Sequence, residues 1–155
     1  MTPDLRSELK QTKPFRSLQQ EAQLNIVRTS NLLIDAFEKL LKPYGITGTQ
    51  YNVLRILRGV EAKGLCRNEL RDRLLSRMPD ATRLLDRMEE AGLVSRTRAE
   101  EDRRQVATRI TPKGLRIVND LDSIVEEEHQ RRLGHLSEKQ TRKLIKLLTL
   151  VRNPD

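Results

Sequence analysis

The sequence predicts a mainly helical fold of the α+β class, and three observations carry that prediction. Apolar residues recur at helical spacing along most of the chain, in segments opened by Ser/Thr–x–x–Gln pairs and closed by Pro or Gly. One stretch, from Pro79 to Gly114, instead joins a short arginine-bearing helix, Gly92, and two alternating segments, LVSRTR and QVATRI, around a charged tip. Only 36% of the 155 residues are apolar against 34% charged, with 3% aromatic and no Trp. That is a thin core for the length, and it points to elongated helices that finish their burial against a second copy of the chain.

Taken in order, residues 1–14 are polar, hold two prolines and read as a flexible arm. From Phe15 to Leu41 one apolar stripe runs through Leu18, Ala22, Ile26, Leu33, Phe37 and Leu40, and a second through Leu24, Val27 and Ile34. A helix apolar on two sides needs two surfaces to pack against. Pro43 and Gly45 break it. Thr47 with Gln50 is a capping box opening a second helix through Val53, Leu54 and Leu57, which ends near Gly59. Gly64–Leu65 is a brief connector. Cys66 with Glu69 repeats the capping pattern with a thiol in place of a hydroxyl, and the helix it opens buries Leu70, Leu74 and Leu75. The next helix, starting between Ser76 and Pro79, buries Ala81, Leu84, Leu85 and Met88, and Gly92 ends it as a left-handed cap. The two alternating segments pair as a hairpin whose tip, AEEDRR, lacks Gly and Pro and is therefore a longer loop. Thr111–Pro112 starts another helix, with Leu115, Val118, Leu121 and Val125 on one stripe and Ile117 and Ile124 on another. After Gly134, Ser137 and Gln140 cap a last helix bearing Leu144, Ile145, Leu147, Leu148 and Val151. The chain divides into the arm (1–14), a helical dimerisation region (15–45 with 112–155) and a hairpin-bearing domain (46–111).

Thirty Lys+Arg against 22 Asp+Glu give a net charge of +8, which favours a polyanionic partner. The excess is not concentrated in the hairpin-bearing part, since residues 66–110 carry 11 basic and 9 acidic side chains, a net of +2. Placement of individual arginines must therefore matter more than bulk charge. No apolar run approaches the ~20 residues of a membrane span, and no apolar core follows the N-terminal charges as in a secretory signal. A cytoplasmic location is expected. A single cysteine permits no disulfide framework. Phosphate loop, nucleophile elbow and convergent acid–base set are all missing, so an enzyme is not expected. The soft ligands Cys66, His129 and His135 lack metal-site spacing, so neither metal nor cofactor is expected.

A helix followed by a basic-tipped β-hairpin is the plan of a winged helix, whose usual work is to grip duplex DNA. The ordered motifs are Ile46-Thr47…Gln50-Tyr51…Val53-Leu54, then Asn68-Glu69-Leu70, then Thr82-Arg83-Leu84-Leu85-Asp86-Arg87-Met88…Ala91-Gly92-Leu93-Val94, then Asp102-Arg103-Arg104 and Ile110-Thr111-Pro112-Lys113-Gly114. Over about residues 15–152 the chain closely resembles the MarR family (multiple antibiotic resistance type) of bacterial transcription regulators. The resemblance implies a winged helix-turn-helix homodimer knitted by its terminal helices. It also implies binding to a pseudo-palindromic operator in double-stranded DNA, with repression relieved by a small, frequently aromatic, ligand. Two features depart from the commonest family pattern: Cys66 at the third helix's cap, and the longer, more basic SRMPD entry to the recognition helix.

Arg83 and Arg87, one turn apart on the recognition helix, are the main candidates for DNA contact, with Thr82 and Asp80 beside them at its N-terminus. The alternative is a solvated face of Arg83–Asp86 and Arg87–Glu90 pairs. At the wing, Arg104 is the candidate minor-groove or phosphate contact, with Asp102 orienting the tip. Against it stands a mixed-charge turn, since Glu100 and Glu101 would be repelled by phosphate. Arg67, Arg77 and Arg103 are further phosphate-contact candidates. Leu18, Ala22, Leu144, Leu148 and Val151 are assigned to dimerisation. By family analogy Arg28, Phe37, Tyr44 and Tyr51 are effector-pocket candidates, with core packing the competing role for Tyr51. Two other functions stay open: a winged helix serving as a protein-interaction or architectural module with little sequence specificity, and a redox-sensing regulator built on Cys66, whose competing role is a capping substitute.

Overall fold

The computed structural model describes residues 4–77, 80–98 and 106–154. Its helices are α1 (Leu5–Glu8), α2 (Leu18–Leu41), α3 (Gly48–Val60), α4 (Arg67–Arg73), α5 (Ala81–Glu90), α6 (Pro112–Leu133) and α7 (Glu138–Arg152). Strands β1 (Val94–Arg98) and β2 (Val106–Ile110) pair antiparallel, with Val94 opposite Ile110 and Arg98 opposite Val106.

Local signals decide most of the helix starts. Thr47 Oγ1 accepts from the Gln50 amide (3.2 Å) while Gln50 Oε1 accepts from the Thr47 amide (2.9 Å). Ser137 and Gln140 repeat this reciprocal arrangement at α7, and Glu69 Oε2 takes the Cys66 amide at 2.8 Å ahead of α4. At the end of α5, Gly92 has φ +72°, its amide donates to Glu89 O and that of Leu93 to Met88 O. These two bonds satisfy carbonyls the helix leaves open, which is why a left-handed glycine stops it there.

The core is built on α3. Val53, Leu54 and Leu57 are buried with Leu41, Leu70, Leu85, Met88, Leu93, Val94, Val118 and Leu121 in one cluster. Arg58 of α3 clamps Asp122 of α6 with two hydrogen bonds (2.8 and 2.9 Å) and donates to Asn119 as well. The terminal helices are different. No residue of α7 is buried, and Leu18 of α2 and Ile145 of α7 are 79% and 60% exposed. Among the described residues no helix is long and apolar enough to cross a membrane.

Four sequence expectations change. The arm contains α1, capped by Asp4, with Leu5 buried and Glu8 3.7 Å from Arg28 of α2. Gly64–Leu65 is more than a connector, because Leu65 and Thr108 exchange backbone hydrogen bonds (3.0 and 2.8 Å) and so add an isolated bridge beside β2. Gly64 is required there: its φ is +68°, and a Cβ would stand 2.7 Å from Thr108 O. Leu75 is 92% exposed, not buried, since α4 ends at Arg73 and extended backbone at Leu74 carries the chain off the helical face. Finally, α5 begins at Ala81 rather than between Ser76 and Pro79, with Asp80 as its cap. Pro79 itself lies outside the described residues.

Candidate nucleic-acid interface

Helices α4 and α5, together with the sheet, set the surface on which the sequence concentrates its arginine candidates. Asp80 Oδ1 accepts from the Arg83 amide (3.0 Å), taking one of the donors a helix N-terminus leaves open. The Asp80 carboxylate is thus engaged in holding the start of α5. Leu85 and Met88 anchor the inner face of the helix in the core. The opposite face turns Thr82, Arg83, Arg87 and Glu90 to solvent, and the Arg83 side chain is 73% exposed.

The expected pairing of Arg83 with Asp86 is not formed. Arg83 Nε lies 3.8 Å from Asp80, while Asp86 is taken by Arg96 of β1 at 2.6 Å. Arg96 also donates to Glu89 through Nη2 (2.6 Å) and Nε (2.9 Å), and its backbone amide reaches Glu89 Oε1 (3.1 Å). These hydrogen bonds from Arg96 hold the Glu89 carboxyl below its ordinary pKa. A single half-buried arginine therefore ties the first strand to the recognition helix and offsets two of its carboxylates. Sequence reasoning missed Arg96, because an alternating strand position gives no sign of partners seven and ten residues back.

Two other candidates are brought together. Arg67, at the first position of α4, donates from Nη1 to Thr82 Oγ1 at 2.9 Å. The bond joins the two helices of the helix-turn-helix at the mouth of an open cleft of about 410 Å³ lined by Cys66, Arg67, Thr82, Arg96, Val106 and Thr108. Cys66 is half-buried at that cleft and occupies the cap of α4. Arg77 is exposed in the connection between α4 and α5. Asp102, Arg103 and Arg104 lie outside the described residues.

The four effector-pocket candidates do not converge. Phe37 and Tyr51 meet edge to face (centroids 5.3 Å apart, planes at 70°), and Tyr51 is buried in the core. Burial pushes its phenol above the ordinary tyrosine pKa. Tyr44 packs at the core's edge. Arg28 is nine residues before Phe37, roughly 14 Å along α2, and faces Glu8. A shallow cleft of about 400 Å³ does open beside Glu38, Lys39, Lys42 and Thr47, at the junction of α2 and α3 rather than around the four. Among the described residues no group of three His, Cys, Asp or Glu side chains is placed to hold a metal ion.

Comparison with known proteins agrees with this architecture. The MarR family model matches residues 44–105, starting in the turn that follows α2 and spanning α3, α4, α5 and β1. The HTH-type transcriptional regulator FarR of Neisseria gonorrhoeae is 26% identical over 116 residues, covering 75% of this chain and 78% of FarR. A MarR transcription factor from Planctomyces limnophilus is 40% identical with a TM-score of 0.67, over 88% of this chain and 99% of that one. The structure of a MepR–DNA complex from S. aureus matches at 25% identity and a TM-score of 0.76, over 83% of this chain and 94% of MepR.

Proposed function

This chain belongs to the MarR family of winged-helix transcription regulators, and on that premise we propose that it is a cytoplasmic, homodimeric repressor whose paired winged helices bind a pseudo-palindromic operator and release it when a small aromatic effector binds. The observation that carries the DNA reading is the outer face of α5. Arg83 and Arg87 stand out to solvent there, while Asp80 caps the helix and Asp86 and Glu89 are held by Arg96. That presents an arginine-bearing helix face, the kind of element a major groove admits. The partly bare apolar faces of α2 and α7 support a second copy, because a terminal helix with no buried residue needs a partner to justify its leucines. Arg67 and Arg77 are assigned to the phosphate backbone and Arg103 and Arg104 to the wing contact, with Asp102 orienting the tip.

The test is a titration of the protein on its own upstream DNA and on random DNA at two salt concentrations. A preference of 10³-fold or so for the upstream site at physiological salt is expected of a specific regulator. Equal binding to both would replace the operator reading with an architectural one. Sedimentation of the free protein checks the dimer, and release of the bound DNA by phenolic carboxylates checks the effector class.

A further inference from the structure

The contacts between the end of the recognition helix and the start of α6 are unusually one-directional. Three successive carbonyls follow the end of α5, at Ala91, Gly92 and Leu93, and each accepts from the cap or the first turn of α6. Lys113 Nζ donates to Ala91 O at 2.8 Å. Thr111 Oγ1 donates to Gly92 O at 2.6 Å and lies 3.0 Å from Leu93 O, which also takes the Thr111 amide at 3.1 Å. The same Thr111 Oγ1 accepts from the Gly114 amide (3.1 Å), so one hydroxyl both caps α6 and closes the junction. The start of α6 is pressed against the segment between α5 and β1, since a Cβ on Gly114 would stand 2.4 Å from Leu93 O.

Each contact has its own physical reason. The last carbonyls of a helix are unsatisfied and carry the negative end of its dipole, so an ammonium placed there is favoured on both counts. Thr111 serves α6 itself as its cap, whereas Lys113 is exposed, and its one hydrogen bond among the described residues goes to the C-cap of α5. Beyond this junction α6 is fastened to α3 by Arg58–Asp122 and leads directly to α7.

We propose that Lys113 is a positioning residue for DNA recognition: its ammonium staples the C-terminal end of α5 to α6, so that the recognition helix keeps the orientation set by the dimer-forming helices. The inference rests on the dimeric, operator-binding reading above. With the staple cut, α5 remains folded on Leu85 and Met88 and tied by Arg96 and Thr111, but its C-terminal end loses its one bond to the first turn of α6, and two less firmly aimed reading heads discriminate less between correctly and incorrectly spaced half-sites.

The experiment compares the full-length protein with Lys113→Met and Lys113→Arg on three duplexes: the upstream site, the same site with one base pair inserted at its centre, and random DNA. Lys113→Met is expected to lose about fivefold in affinity for the upstream site, the lower end of coupling between linked sites, with less than a twofold change on random DNA. Its penalty for the inserted base pair shrinks relative to the parent, and Lys113→Arg restores both. Equal losses on the upstream site and random DNA, with the salt slope reduced by about one, would put Lys113 on a phosphate instead and overturn the proposal. So would unchanged discrimination, whatever happens to thermal stability. A parent protein that itself fails to discriminate defeats the operator reading first, which separates the two failures.

Discussion

Replacing Arg96 by methionine should weaken DNA binding through charge while costing little stability. The substitution keeps the apolar stem of the side chain but abandons Asp86 and Glu89, now reached at 2.6 Å each. Both carboxylates are partly solvated, at 47% and 40% exposure, so water recovers much of the lost interaction, and about 1 kcal/mol of stability is the expected loss. For a chain of this size that lowers Tm by roughly 2–4 °C. The effect on DNA is separate. Two uncompensated carboxylates on the recognition helix repel the phosphates across water, and a rise of about fivefold in Kd at low salt is the expected scale for such screened charges. Because the Debye length is about 10 Å at 0.1 M salt, this penalty should fade as salt rises. The assay is fluorescence anisotropy on the upstream duplex at 50 and 300 mM salt. Adding Asp86→Asn and Glu89→Gln to Arg96→Met should return most of the low-salt affinity. Unchanged binding by the single variant, or failure of the triple variant to recover, would refute the account. A salt slope reduced by about one would mean that Arg96 itself touches a phosphate.

Other perturbations separate the remaining parts. Arg83→Ala should cost roughly 1–3 kcal/mol on the upstream site and less on random DNA if Arg83 reads a base; equal losses in the same titration would make it a positioning contact. Arg104→Ala should weaken binding to all sequences and flatten the salt dependence by about one phosphate's worth, so an unchanged slope rules out the wing contact. Gly64→Ala should destabilise by about 2–4 kcal/mol in urea unfolding, since it combines left-handed backbone strain with a collision at Thr108 O; a near-neutral result would show that the Leu65–Thr108 bridge is dispensable. The hydrogen bonds from Arg58 hold the Asp122 carboxyl below its ordinary pKa. A carboxylate depressed in the folded state contributes stability above its unfolded value near 4 and loses it as pH falls through the lower folded value. Asp122→Asn should therefore flatten the fall in stability below about pH 4, read from unfolding midpoints between pH 6 and 3.

How much of this was legible in the sequence depends on the range over which each feature is decided. The caps at Thr47, Cys66 and Ser137 close within three residues, so their partners at Gln50, Glu69 and Gln140 could be read directly. Gly92 is a stop for the same reason, because both hydrogen bonds that complete it fall within a turn. The Leu65–Thr108 bridge spans more than forty residues, and its one local trace, Gly64, looks like any connector glycine until Thr108 O is seen against it. Leu75 was misplaced because helical spacing continues past Arg73 in sequence while the backbone does not.

Charge shows the same divide with a larger consequence for function. Counting side chains over residues 66–110 gives a net of only +2, which by itself argues against a strong hold on DNA. The count treats every charge as equally available, and the fold does not. Glu69 and Asp80 are spent on helix starts, and Asp86 and Glu89 share Arg96. What these pairings remove from the outward potential is mostly acid on the recognition helix, and the arginine that cancels it comes from the inner side of a strand. Arg83 and Arg87 are left at the surface with Asp86 and Glu89 drawn toward Arg96, although Asp80 stays 3.8 Å from Arg83 and Glu90 shares their face. A protein of nearly balanced local composition can thus present a basic reading face, provided one buried-edge arginine is placed to offset two acids at once, and the dependence of DNA binding on Arg96 is where that reasoning is most exposed to test.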